Sequence, residues 1–195
     1  MVWVHGGAFQ YDTSESFKPL KLVGNENVIV VVINYRLGVF GFVPTDTVNG
    51  TGGMNGIMDQ LQAFKWIQER ISSFGGDESI VTAFGESAGS MSICFLSVME
   101  SAKGLFRRAI MESRTCITDS TSTLSTVDGI KFLDKTLATL DCPSKSCNVN
   151  DLKSLTTEQL KNESIFLFSP IYDRNIFPVM PLNSLEQERL FPRIF

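Results

Sequence analysis

The chain has 195 residues, enough for one domain or slightly more. Hydrophobic residues make up 43% and charged residues 19%, which affords a packed core and excludes a disordered chain. The formal net charge of −4, with Arg107-Arg108 as an isolated basic pair, argues against a nucleic-acid surface.

In chain order, Val2 to Val4 reads as the end of a strand feeding the turn His5-Gly6-Gly7. Val28 to Ile33 is a continuous apolar run, expected of a strand buried on both faces and far too short to span a bilayer. Ile57, Leu61, Phe64, Ile67, Ile71 and Phe74 recur at spacings of three and four, one stripe of a helix that Gly75-Gly76 stops. Ile80 to Phe84 is predicted as a strand, Ala88 to Met99 as a helix and Arg108 to Met111 as a further strand. Short β-branched runs alternating with helices are the pattern of a parallel α/β fold. Beyond Arg114 the texture changes. Thr115 to Thr126 reads as a loop, Val127 to Leu140 and Asn150 to Lys161 as amphipathic helices, and the segment after Phe166 as irregular. The strand count is low for a complete sheet.

Four cysteines allow three full pairings. Cys142 and Cys147 flank a Pro-Ser-Lys-Ser turn and could close a small loop, whereas Cys94, in an apolar helical stretch, reads as a buried free thiol. Asn49-Gly50-Thr51 and Asn162-Glu163-Ser164 are N-glycosylation sequons. With the cysteine loop, Asn49 and Asn162 point toward the secretory pathway. No charged region or cleavage site of a signal peptide precedes the first strand.

Two motifs carry chemistry. Gly85-Glu86-Ser87-Ala88-Gly89 fits G-x-S-x-G between a predicted strand and a predicted helix, the context of a nucleophile elbow. The turn must be sharp, and Gly85 and Gly89 let strand and helix approach. Ser87 then stands at a helix N-terminus, which favours developing negative charge. Acyl transfer also needs fixed donors for the tetrahedral oxyanion. One is the N–H after the nucleophile, Ala88. Others come from a glycine turn after an earlier strand, where side chains would otherwise block the backbone. His5-Gly6-Gly7-Ala8-Phe9 is such a turn, and it lies on the correct side of Ser87 in chain order.

These residues resemble the type-B carboxylesterase and cholinesterase family. Val32-Ile33-Asn34-Tyr35-Arg36-Leu37-Gly38-Val39-Phe40-Gly41-Phe42 is similar to its stretch after a buried strand. Asp59-Gln60, Ala63, Trp66-Ile67, Phe74-Gly75-Gly76-Asp77, Gly104-Leu105-Phe106 and Arg108-Ala109-Ile110 extend the likeness. It covers residues 1–195 as one partial domain, strongest over 1–113. The resemblance implies a partial α/β-hydrolase fold: a mostly parallel, incomplete sheet flanked by helices. It makes Ser87 the nucleophile and Gly7, Ala8 and Ala88 the oxyanion donors, with Gly6 in the same turn and Glu86 an acidic neighbour of the site. Arg114 departs from a family glycine, and Cys147 does not fall where the family's loop disulfide puts the partner of Cys142.

The triad order in this fold is Ser, then acid, then His. The single histidine, His5, precedes Ser87 and is expected to hold the glycine turn by hydrogen bonding. The base and the acid are therefore expected beyond Phe195, Asp134, Asp141 and Asp173 being poor substitutes. By the same resemblance the chain looks cut at both ends. These residues alone are expected to be essentially inactive. The expected partner is a small-molecule carboxylic ester; no metal, no organic cofactor and no nucleic acid are implied, and the oligomeric state is left open. Phe9 and Phe40 read as core aromatics that could also border a pocket. Two alternatives stand beside the esterase: a cholinesterase-like adhesion protein without catalysis, and a gene-model fragment without function.

Overall fold

The computed structural model describes residues 1–43 and 53–113, together with 124–125, 156–158, 170–172 and 193–194. Both predicted helices after Arg114, except residues 156–158, both sequons, the Cys142–Cys147 turn and Asp134, Asp141 and Asp173 lie outside these residues.

Three short strands open the fold: β1 (Val2–Val4), β2 (Val31–Ile33) and β3 (Thr82–Glu86). With β4 (Arg108–Glu112) and a later pair of residues, here β7 (Arg193–Ile194), they form a five-stranded sheet in the order β2-β1-β3-β4-β7. Every ladder in it is parallel. Val2 and Val4 are buried, as are Ala83, Gly85 and Ala109, because both faces of the sheet's centre are covered. β1 is central. The chain leaves it for β2 on one side, then returns to place β3 on the other. The strand order therefore reverses between β1 and β3, and in open parallel sheets ligands bind at the carboxyl ends beside such a reversal.

Among the described residues before Arg114 the α-helices are α1 (Leu20–Asn25), α2 (Gly38–Phe42), α3 (Asn55–Arg70) and α4 (Ala88–Val98). On α3 the predicted stripe is the buried one: Ile57, Leu61, Phe64 and Ile67 are all within 2% exposure, whereas Gln62, Lys65 and Glu69 face water. Every residue of α4 is buried, so this helix is clamped on all sides and its apolar residues need no stripe. Its serines are accommodated because Ser92 and Ser97 donate to the carbonyls of Ala88 and Ile93, one turn back. Phe42, Phe64 and Phe95 fill the core between helices and sheet, each contributing about 1.5–3 kcal/mol by leaving water.

Several expectations are corrected. The strand predicted from Val28 begins only at Val31, where the ladder to β1 starts with the pair Val2↔Val31. It is not buried on both faces: Val31 and Val32 are half-buried, because β2 has one strand neighbour among the described residues. Ile80 is not in β3. Asp77 caps a 3-10 turn (Glu78–Ile80) by accepting from the Ser79 N–H, which leaves Ile80 exposed and delays the strand to Thr82. Phe74 is not on the buried stripe either. The α-helix tightens to a 3-10 turn at Ile71–Phe74, which swings Phe74 outward against Trp66, with ring centroids 6.0 Å apart. Leu124–Ser125, expected as loop, forms β5 and pairs in parallel with β6 (Ile171–Tyr172), which was expected to be irregular. Strands of two residues, like β7, are too short to leave a period in the sequence. Finally, Cys94 is buried but is not a free thiol: it is disulfide-bonded, to a partner outside the described residues. An apolar setting predicts burial, and says nothing of a covalent bond to a distant segment.

Candidate active site

The carboxyl ends of β1 and β3 are brought side by side by the register Val4↔Gly85. One strand runs into the glycine turn and the other into Ser87, so two motifs far apart in sequence meet at the reversal of strand order.

At the end of β3, Ser87 has φ 54° and ψ −117°, a left-handed conformation disfavoured for any residue with a side chain. It is held there by its neighbours. The Ser87 N–H donates to the Glu112 carbonyl of β4 at 3.0 Å, and its own carbonyl accepts from the Met91 N–H at 3.0 Å as α4 begins. The two elbow glycines are steric necessities. A Cβ on Gly85 would stand 2.6 Å from the Val4 carbonyl oxygen, and one on Gly89 would collide with the Val4 carbonyl. Strand β1 therefore passes too close to the elbow for any side chain at either position. Ser87 itself is half-buried and Glu86 likewise.

The glycine turn is shaped differently. Gly7, Ala8 and Phe9 all have positive φ, of 88°, 53° and 63°. The Gly7 carbonyl closes the turn by accepting from Gln10 and Tyr11, at 2.9 and 3.1 Å. Among the described residues no backbone carbonyl accepts from the N–H of Gly7 or Ala8, and the Ala88 N–H, at the first residue of α4, has no acceptor within its helix. Gly6 lies directly against the elbow. A Cβ there would be 2.9 Å from the Glu86 carbonyl oxygen, 3.1 Å from Glu86 Oε2 and 3.4 Å from the Ser87 Cβ. All of the residues singled out for the elbow and the turn are thus assembled at one place.

His5 holds the turn, as expected. Its Nδ1 lies 3.0 Å from the Gly6 carbonyl oxygen, and since a carbonyl can only accept, Nδ1 carries the hydrogen. The Gly6 carbonyl and the Gly7 N–H belong to one planar peptide, so fixing the first aims the second. His5 is 1% exposed and its ring stacks on Tyr35 at 4.4 Å. Its Nε2 has no partner among the described residues.

Tyr35 was missed as a site residue. Its hydroxyl donates to the His5 carbonyl at 2.8 Å, which clamps the peptide before Gly6. Burial, and secondarily the negative charge of Asp12, push its phenol well above the usual tyrosine range. A tyrosine two residues after the apolar run of β2 is the signal that could have found it. Phe9 is a core aromatic, 3% exposed and edge-on to Phe42, while Phe40 sits on the outer side of α2. Among the described residues no group of His, Cys, Asp and Glu could hold a metal ion.

The chain is similar to known carboxylesterases in sequence and in fold. The human carboxylesterase 5A is 37% identical over 96% of this chain and 33% of its own length. A para-nitrobenzyl esterase of Bacillus subtilis is 52% identical over 58% of the chain and 24% of its own length. The chain thus spans about a third or less of the length of such curated relatives. Among solved structures, a Geobacillus stearothermophilus carboxylesterase superposes with a TM-score of 0.85 at 29% identity, over 96% of this chain and 40% of that one. The juvenile hormone esterase of Manduca sexta, solved with OTFP covalently attached, gives 0.83 at 28% identity, over 96% and 38%. The fold is therefore a partial α/β-hydrolase fold. With the carboxylesterase family model matched along residues 1–195, this chain belongs to the carboxylesterase family.

Proposed function

We propose that this chain is the nucleophile-bearing part of a carboxylic ester hydrolase that works through an acyl-enzyme on Ser87. The observation that carries the reading is the strained Ser87, at φ 54°, packed against a glycine turn whose N–H groups have no backbone acceptor among the described residues. Strain of this kind costs about 1–3 kcal/mol and a fold keeps it where it serves a purpose.

In the proposed reaction a base removes the hydroxyl proton as Ser87 Oγ attacks the ester carbonyl carbon. The carbonyl π pair moves onto oxygen, and the N–H groups of Gly7, Ala8 and Ala88 hold the resulting oxyanion. Collapse breaks the ester C–O bond, and the alcohol departs with the proton the base had taken. Water, deprotonated by the same base, then attacks the acyl-enzyme, and the carboxylic acid leaves as Ser87 recovers its proton. Loss of one oxyanion donor costs about 10²–10³ in kcat.

His5 is not the base, because its ring is enclosed between the Gly6 carbonyl and Tyr35. The base and its orienting acid are assigned to sequence after Phe195 in a longer enzyme. Residues 1–195 alone keep at most about 10³–10⁴-fold acceleration over water. The disulfide at Cys94 supports synthesis in an oxidising compartment, as do the sequons at Asn49 and Asn162. A mass shift on treatment with peptide N-glycosidase tests that assignment.

The decisive experiment uses the longest natural protein that carries this chain. It is expected to hydrolyse p-nitrophenyl butyrate and to form a fluorophosphonate adduct on Ser87, and Ser87→Ala is expected to abolish both. Turnover that survives Ser87→Ala overturns the reading. A folded protein without turnover or adduct points to the adhesion class instead.

A further inference from the structure

A polar chain runs through the core beneath the elbow. Gln60 of α3 is fully buried, and its Nε2 donates to Ser92 Oγ at 3.0 Å. Ser92, also fully buried, donates in turn to the Ala88 carbonyl at 2.9 Å. We infer that Gln60 and Ser92 are positioning residues that aim the Ala88 N–H at the oxyanion, an inference that rests on the esterase reading above.

The geometry is that of a peptide held from both sides. Upstream, the Ser87 N–H is anchored on the Glu112 carbonyl at 3.0 Å. Downstream, the Ala88 carbonyl is anchored on Ser92 Oγ. The peptide between these anchors is the one that carries the Ala88 N–H, so its plane is set by two fixed neighbours. A serine hydroxyl can rotate among several acceptors. Donation from Gln60 occupies one of its lone pairs and leaves its proton directed at Ala88.

Gln60 is an unfavourable choice for packing alone. It falls within the buried stripe of α3, three residues after Ile57 and four before Phe64. Its Oε1 is buried with no hydrogen-bond partner among the described residues. Its acceptor oxygen is therefore unmet among the described residues, a cost that methionine, of similar length, would avoid. What a methionine would not supply is the donor to Ser92.

This separates a positioning role from a structural one. In the full protein, Gln60→Met and Ser92→Ala are each expected to lower kcat about tenfold, less than the loss of a whole oxyanion donor (about 10²–10³). KM is expected to stay within about twofold, since the ground-state carbonyl depends less on the donor than the oxyanion does. Affinity for a trifluoromethyl ketone, whose hemiketal oxyanion sits on the same donors, is expected to fall in step with kcat. The double variant is expected to be no slower than the worse single one, as for two members of one relay. Thermal stability of Gln60→Met is expected to be unchanged or higher. Unchanged kcat in both variants, or kcat lost only together with Tm, overturns the inference while Ser87 remains essential. Turnover that survives Ser87→Ala removes both the inference and the reading beneath it.

Discussion

The two halves of the site do the same job by different physics. The elbow after β3 is fixed by exclusion: β1 lies so close that Gly85 and Gly89 leave no room for a Cβ. The turn after β1 is close-packed at Gly6 and Gly7 as well, but it is further pinned by directed bonds: His5 Nδ1 on the Gly6 carbonyl and the Tyr35 hydroxyl on the His5 carbonyl. Steric exclusion tolerates no adjustment, whereas a hydrogen-bonded clamp yields when one bond is cut. Ser87, the nucleophile of the proposed reaction, is held at the elbow in a conformation its backbone resists. The turn, which includes the exposed Ala8, is the half that a single lost hydrogen bond loosens.

The sharpest break of this comparison is Gly89→Ala. Its methyl group has the backbone of β1 in its way, so the expected loss is at least about 3 kcal/mol of stability, read by urea titration. A Gly89→Ala protein as stable as wild type would show that the elbow is softer than described. Next comes Ser87→Gly, which on the proposed mechanism is expected to abolish turnover while relieving the left-handed strain. A gain of about 1–3 kcal/mol is expected, seen as a raised Tm.

The clamp predicts smaller changes. Tyr35→Phe removes the donor to the His5 carbonyl and is expected to cost about 1 kcal/mol, with the fold intact. It also carries a pH signature. Because burial raises the Tyr35 phenol above its ordinary value of 10.0, the folded protein keeps that proton longer than the unfolded chain does. The stability it contributes is full below pH 10 and is lost as pH rises above that value, so alkaline denaturation is expected to be less steep in Tyr35→Phe. The smallest effect belongs outside the site. Arg36 binds Asp59 through Nε and a terminal nitrogen, both at 2.7 Å, but its side chain is 54% exposed. Arg36→Ala is expected to cost under about 1 kcal/mol and to leave kcat unchanged.

The elbow was legible because its chemistry and its backbone demand the same residues: a serine between glycines, with strand before and helix after. The glycine turn was legible for the same reason, and so was the role of His5. Tyr35 and Gln60 were not. Each is a polar side chain in an apolar setting, and one sequence does not reveal which carbonyl or hydroxyl it will meet. Gln60 did leave a trace, as the polar member of the stripe Ile57–Leu61–Phe64. The displaced start of β3 and the outward turn of Phe74 reflect local competitors, an aspartate cap and a 3-10 turn, that a period of 3.6 or 2 does not register. The bond at Cys94 lay beyond local pattern altogether.

The pairing Val4↔Gly85 has a consequence for how the protein comes into being. Neither motif is a site by itself, and what joins them is a parallel ladder between segments some eighty residues apart, a contact of the slowly formed kind. Until that ladder closes, the serine has no reason to leave ordinary backbone geometry and the glycine turn faces nothing. On the proposed reading the site's geometry is therefore completed only with folding, and a chain that has not closed this ladder holds Ser87 in ordinary backbone geometry.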